Sequence, residues 1–149
     1  MNSIFQQVFV KAEKIIDEYE NIVIQGDTAT VAAISLVAYH LKKKIFYVES
    51  GLRSFDWDNP FPEEGYRQMV SRIATVNLCP TKLSAENLKR EGVLGDIHQV
   101  GNTILDTLVD YKGDTAYGDQ VLITLHRTEN LKLLPKWFDA INIIAARYI

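Results

Sequence analysis

Cysteine is nearly absent from this chain: Cys79 is the single one in 149 residues. One thiol allows neither a disulfide framework nor a cysteine-based zinc site. It ends the apolar run "ATVNLC", which predicts a buried small hydrophobe. An excess of positive charge is absent too. Sixteen Lys and Arg face nineteen Asp and Glu, a net charge of −3. That leaves no electrostatic footprint for nucleic acid, and no basic amphipathic face suggests a membrane partner. No apolar run approaches the roughly 18 residues that a membrane span requires. The opening "MNSIFQQVFVKAEK" is too polar for a signal peptide. Together these absences predict a cytoplasmic chain. Internal repeats and low-complexity tracts are also missing.

What is present is apolar enough to bury a core: 47% hydrophobic residues against 23% charged. The length suits one ordinary domain and is too short for two full-sized α/β domains. Helical and strand patterns alternate. Phe5, Val8, Phe9, Ala12, Ile15, Ile16 and Tyr19 recur at helical spacing over 3–19. "NIVIQ" (21–25) reads as a strand ended by Gly26, with Thr28 or Thr30 capping a helix over about 30–42. "KIFYVE" (44–49) is a second strand and "SFDWDNP" a loop. Pro62 opens a helix running to about 73. "ATVNLC" (74–79) is a third strand. Thr81 opens a helix that Gly92 closes. "DIHQVG" (96–101) is a fourth strand, and Thr103 caps a short helix to about 110. "YKGDTAYGD" (111–119) has linker composition. "QVLITLH" (120–126) reads as a strand and 133–148 as an amphipathic helix.

The strands are continuous apolar runs, as in buried parallel sheets. The expected fold is α/β, an open parallel Rossmann-like sheet with helices on both faces. The expected organisation is the C-terminal part of a first Rossmann-like domain over 1–111, a linker over 112–119, and the first strand-helix unit of a second Rossmann-like domain over 120–149. The chain starts on a helix, without the first strand and Gly-rich turn of a nucleotide-binding half. It stops after one further strand-helix unit. It therefore reads as the middle of something larger.

Ligands of an open parallel sheet bind beyond the C-terminal ends of its strands. Asp27 follows the first strand, Glu49 ends the second, and His126 ends "QVLITL". Glu63 opens the next helix, with Arg67 one turn on. Each has an ordinary alternative. Asp27 could be a helix-start acid favoured by the dipole. Glu63 and Glu64 could be first-turn acids, with Glu63 and Arg67 a solvated pair worth a few tenths of a kcal/mol. His126 could be structural. His40 and His98 have no comparable setting. As a set, several carboxylates and a histidine with arginines nearby suit proton transfer on an anionic substrate.

The order of motifs carries more than any member. "GDTAT" (26–30), "VESGLRS" (48–54), "PFPEEGYRQMVSRIA" (60–74), "PTKLSAENLKREG" (80–92), "VGNTILD" (100–106) and "LHRTEN" (125–130) succeed one another. This series closely resembles the UDP-N-acetylglucosamine 2-epimerase family, over about residues 20–130. The resemblance implies a two-domain glycosyltransferase-B-type fold, of which this chain is a central part. It implies an isomerase that inverts C2 of UDP-N-acetylglucosamine by eliminating UDP and adding it back, without a nicotinamide or metal cofactor. By position it assigns Asp27, Glu49 and Glu63 as acid/base carboxylates and His126 as the histidine near the diphosphate. Arg53, Arg67 and Arg127 match motif arginines with supporting or phosphate-facing roles. Gly101 and Asn102 match a turn near the domain hinge. The implied partners are UDP-N-acetylglucosamine and UDP, together with a second copy or a complementing chain.

Departures from the family pattern set the alternatives. The "GTRPE"-like phosphate loop and the acidic, Gly-rich UDP pocket have no counterpart here, and Leu125 stands where many members have Gly. Alternative readings are a hydrolysing 2-epimerase that releases N-acetylmannosamine, and a non-catalytic fragment or interaction module. A glycosyltransferase of the same architecture is disfavoured, because it needs no base at C2.

Overall fold

The computed structural model describes residues 2–109, 111, 118, 121–124 and 132–148. It divides into two compact units, Met1–Tyr111 and Lys112–Ile149.

The first unit holds α1 (Asn2–Asp17), β1 (Asn21–Gln25), α2 (Ala29–His40), β2 (Lys44–Val48), α3 (Glu63–Ile73), β3 (Val76–Cys79), α4 (Lys82–Arg90), β4 (Asp96–Gln99) and α5 (Thr103–Val109). Its four strands are all parallel, in the order β1-β2-β3-β4. Local chemistry sets the boundaries. Thr28 and Thr81 place their hydroxyls as acceptors for Val31 N–H and Ser84 N–H, capping α2 and α4. Gly92, at φ +67°, closes the turn after α4. Two expected boundaries move. Ala74, the C-cap of α3, still donates to Val70 O, and β3 begins only at Val76. Asn102, rather than Thr103, caps α5, with its Oδ1 accepting from Ile104 N–H.

Helices were expected on both faces; among the described residues, α1–α4 cover one face of the sheet. Register places Ile24, Tyr47, Asn77 and Ile97 side by side on one face of the sheet. That face packs against α1–α4. Ile16, Ala32, Val37, Ala38, Val70 and Ala74 join Ile24, Ile45 and Tyr47 in the main core cluster. Cys79, Ala85 and Leu88 form a second cluster, backed by Val93 and Ile97. The reason is topological. Right-handed crossovers that always step in one direction stack every helix on the same side. Two covered faces need a reversal of strand order, and β1-β2-β3-β4 has none. The opposite face carries Val23, Phe46, Val76, Val48 and Leu78 in register, and Val23 is 70% exposed.

This apolar face and the β1 edge predict self-association of the 149-residue chain. Sedimentation velocity checks it. Growth of dimers or larger species with concentration is expected, and a monomer at every concentration would contradict it.

The second unit contains α6 (Leu134–Tyr148). The strand expected over 120–126 is not formed at 121–124, its described part. An apolar run becomes a strand only when a neighbouring strand takes up its backbone groups. Among the described residues, no helix is long and apolar enough to cross a membrane.

Candidate active site

Parallel pairing aligns the C-terminal ends of β1 and β2, with Gln25 opposite Val48. Asp27 and Glu49 therefore leave the sheet at the same edge. Gly26 makes the first exit turn, at φ +89°. The Tyr47 hydroxyl donates to its carbonyl at 3.0 Å, tying the two strand ends together. Burial, followed by the charge of Asp27, pushes the Tyr47 phenol up to about 12, while Arg53 and Arg67 oppose the shift and Glu49 adds to it. The phenol thus stays a neutral donor, and the fields of four charged groups converge on it.

Glu49 makes the second exit turn at φ +60°. For a residue with a Cβ this conformation costs roughly 1–2 kcal/mol. Such strain persists only where surroundings impose it, and it gathers at functional sites. The surroundings here are a buried polar network. Ser50 Oγ donates to Asn77 Oδ1 at 2.6 Å, and Asn87 Nδ2 donates to Gly51 O at 3.0 Å. Gly51, at φ +86°, lies so close to Ser84 that a Cβ would overlap its carbonyl. Gly51→Ala should therefore lower stability by more than about 1 kcal/mol, readable as a fall in the urea midpoint. An unchanged midpoint would show that the loop can shift.

Arg53 is held inside the fold. Its side chain is fully buried. Nε and Nη2 grip both Glu91 carboxylate oxygens, at 2.8 and 2.9 Å. Nη2 also reaches Ser71 Oγ, and Nη1 reaches Leu52 O. With all three nitrogens engaged, Arg53 clamps the loop after β2 to the end of α4.

The "PEE" pair divides its labour. Glu64 is buried and accepts from Ser54 N–H at 3.0 Å, Phe55 N–H at 3.3 Å and Gln68 Nε2 at 2.9 Å. Burial raises its pKa, but these hydrogen bonds overcome that and hold it below the ordinary carboxyl range. Glu64 thus anchors the loop to α3. Glu63 turns instead toward a cavity of about 330 Å³, between the start of α1, the start of α2 and Pro62. Its Oε2 is buried with no hydrogen-bond partner. The expected Glu63–Arg67 pair is replaced. Arg67 binds Asp27 Oδ2 through Nε at 2.8 Å and Nη2 at 2.6 Å, with Glu64 Oε2 3.5 Å from Nη1. Asp27 and Glu63 line the same cavity.

Gly101, at φ +90°, and Asn102 turn the chain from β4 into α5. His126, Arg127 and Leu125 lie outside the described residues. Cys79 is fully buried, and burial raises its pKa despite Arg53 and Lys89. Sequence reasoning missed Glu64, Tyr47 and Glu91. The i,i+3 spacing of Glu64 to Arg67 was a usable signal for the first.

The chain is an α/β protein with an open parallel sheet, at whose C-terminal edge Asp27 and Glu49 lie, Glu49 on a left-handed turn. The relationship is more specific. The chain belongs to the UDP-N-acetylglucosamine 2-epimerase family, whose model matches residues 1–148. It is 34% identical to the UDP-N-acetylglucosamine 2-epimerase of Methanococcus maripaludis, over 95% of this chain and 44% of that protein. It is 35% identical to the Escherichia coli K12 enzyme of that name, over 67% of this chain and 27% of that one. The Methanocaldococcus jannaschii UDP-GlcNAc 2-epimerase in complex with UDP-GlcNAc and UDP superposes with a TM-score of 0.81 at 33% identity, covering 96% of this chain and 44% of that one. A Staphylococcus aureus MnaA–UDP structure gives 0.79 at 32% identity, covering 87% and 39%. The chain spans less than half the length of these relatives.

Proposed function

We propose that this chain provides the acid/base edge of a UDP-N-acetylglucosamine 2-epimerase. The carrying observation is the shared strand-end location of Asp27 and Glu49, with Glu63 beside Asp27 on one cavity. Inversion at C2 requires a weakly acidic C–H proton to leave one face and another to return on the other. Departing UDP needs its anomeric oxygen stabilised. Carboxylates held in unlike environments can divide acid and base work. Glu49 has no ion pair or hydrogen bond among the described residues, whereas Asp27 is held by Arg67. His126 and Arg127 are assigned to the diphosphate on motif position. Gly101 and Asn102 are assigned to a turn near the domain hinge on motif position.

The relatives are more than twice as long, and the binding energy of their remaining length would orient the nucleotide. The isolated 149-residue chain should therefore turn over slowly or not at all. The same chemistry is expected in the cytoplasm, with a second copy or a complementing chain covering the open sheet face. A two-domain enzyme carrying these residues tests the reading by proton and phosphorus NMR. UDP-N-acetylmannosamine is the expected product. Free N-acetylmannosamine with UDP would identify the hydrolysing variant, and no reaction would leave a binding module.

A further inference from the structure

The Tyr47 side chain reaches from β2 to the exit of β1. Tyr47 stands two residues before Glu49, and its hydroxyl donates to the carbonyl of Gly26, the residue before Asp27. Between the two carboxylates there is thus a short path of one hydrogen bond and one ring. A buried phenol needs an acceptor somewhere, so the informative point is which acceptor it has. Gly26 turns at φ +89°, and a Cβ built on it would meet no atom within 4 Å. Packing does not wedge this turn, and a glycine moves readily among the backbone regions open to it. Arg67 holds the Asp27 carboxylate from the other side, with side chains 18% and 29% exposed. A partly exposed ion pair contributes little by itself.

We propose that Tyr47 is a positioning residue that sets the spacing of Asp27 and Glu49. Its ring is packed in the main core cluster. The hydroxyl therefore carries the rigidity of the core to a turn that packing leaves free. Glu49 is held from its own side by the left-handed turn and the Ser50–Asn77 bond. Tyr47 ties the backbone of Asp27 to that fixed point. The proposal rests on the acid/base reading above and deepens it. In that reading two carboxylates serve one carbon, and a displacement of about 1 Å in either one misdirects the proton.

Tyr47→Phe removes the hydroxyl and keeps the ring. In the isotopically labelled 149-residue chain, followed by NMR, the Gly26 and Asp27 amide order parameters should fall from about 0.85 to below about 0.6. The Arg67 Nε–H proton, bonded to Asp27 Oδ2, should exchange with water about tenfold faster. Ile45 and Val70 signals should stay in place, showing that the core is kept. In the unaltered chain the Tyr47 hydroxyl proton should itself be visible, shielded from exchange; a freely exchanging hydroxyl would overturn the tether whatever the variant does. Unchanged Gly26, Asp27 and Arg67 signals in Tyr47→Phe would also overturn it. In a two-domain enzyme carrying these residues, Tyr47→Phe should lower kcat about 10–100-fold and leave KM and UDP affinity within a few-fold. In an Asp27→Asn background the same change should cost no further turnover. An equal loss in both backgrounds would make the tyrosine merely structural and overturn the proposal. The acid/base reading fails separately. If Asp27→Asn keeps full turnover while Tyr47→Phe frees Asp27 in the labelled chain, the tether stands and that reading falls.

Discussion

Arg53→Ala should cost the fold about 3–5 kcal/mol, because it strands the Glu91 carboxylate with its partner gone. Glu91→Ala should cost a similar amount, and the double variant little more than either single one, since the two side chains form one unit. Urea unfolding of the four proteins measures this. The resemblance gives Arg53 a supporting or phosphate-facing role; a loss below about 1 kcal/mol would show that the clamp does not support the fold. Glu64 offers a related test by pH. Its folded pKa lies below the ordinary 4.5. Its stabilisation is therefore complete above that value and fades as pH falls through the lower folded value. Glu64→Gln should flatten the acid side of the stability profile below about pH 4.5. A profile of unchanged shape would show that the carboxylate's hydrogen bonds contribute nothing.

In a two-domain enzyme that carries these residues, Asp27→Asn and Glu49→Gln should each lower turnover by about 10²–10⁴-fold. UDP affinity should stay within a few-fold, since neither change removes a diphosphate contact. The argument for Glu49 is its backbone. A left-handed glutamate is held in place by Ser50–Asn77, Asn87–Gly51 and the Arg53–Glu91 clamp. Each of these partners lies far along the chain, and none is needed merely to end a strand. For Asp27 the argument is the Tyr47 tie to Gly26 and the Arg67 grip, which fix its carboxylate at the sheet edge. A kinetic assay that separates kcat from UDP affinity decides it. Loss of affinity with kcat retained would make these residues binding groups.

The strands were legible because each is a short apolar run with a breaker at its end. "NIVIQ" stops at Gly26 and occupies 21–25 as expected. The shared edge of Asp27 and Glu49 followed from parallel pairing, which alternation of helices and strands already implied. The sidedness of the helices did not follow. Strand order decides it, and no local pattern in "KIFYV" or "VNLC" encodes order. Nor did the choice between Glu63 and Glu64. Both occupy the first turn of α3, and only the fold of residues 54–55 selects which one receives two backbone N–H groups. The Arg53 clamp was not legible for the same reason: its partner Glu91 is 38 residues away. The motif order named the candidate residues, and long-range contacts show what each of the described ones touches.

The central claim is that Asp27, Glu49 and Glu63 form one acid/base edge acting at C2 of a nucleotide sugar. Solvent deuterium uptake at that carbon tests it most directly. UDP-N-acetylglucosamine is incubated in deuterated water with the two-domain enzyme, and the C2 proton signal is followed by NMR. The account predicts that the signal disappears as both epimers form, and that it persists when Asp27 or Glu49 is an amide. Loss of the signal at the unaltered rate in those variants, or epimerisation without deuterium uptake, would contradict it.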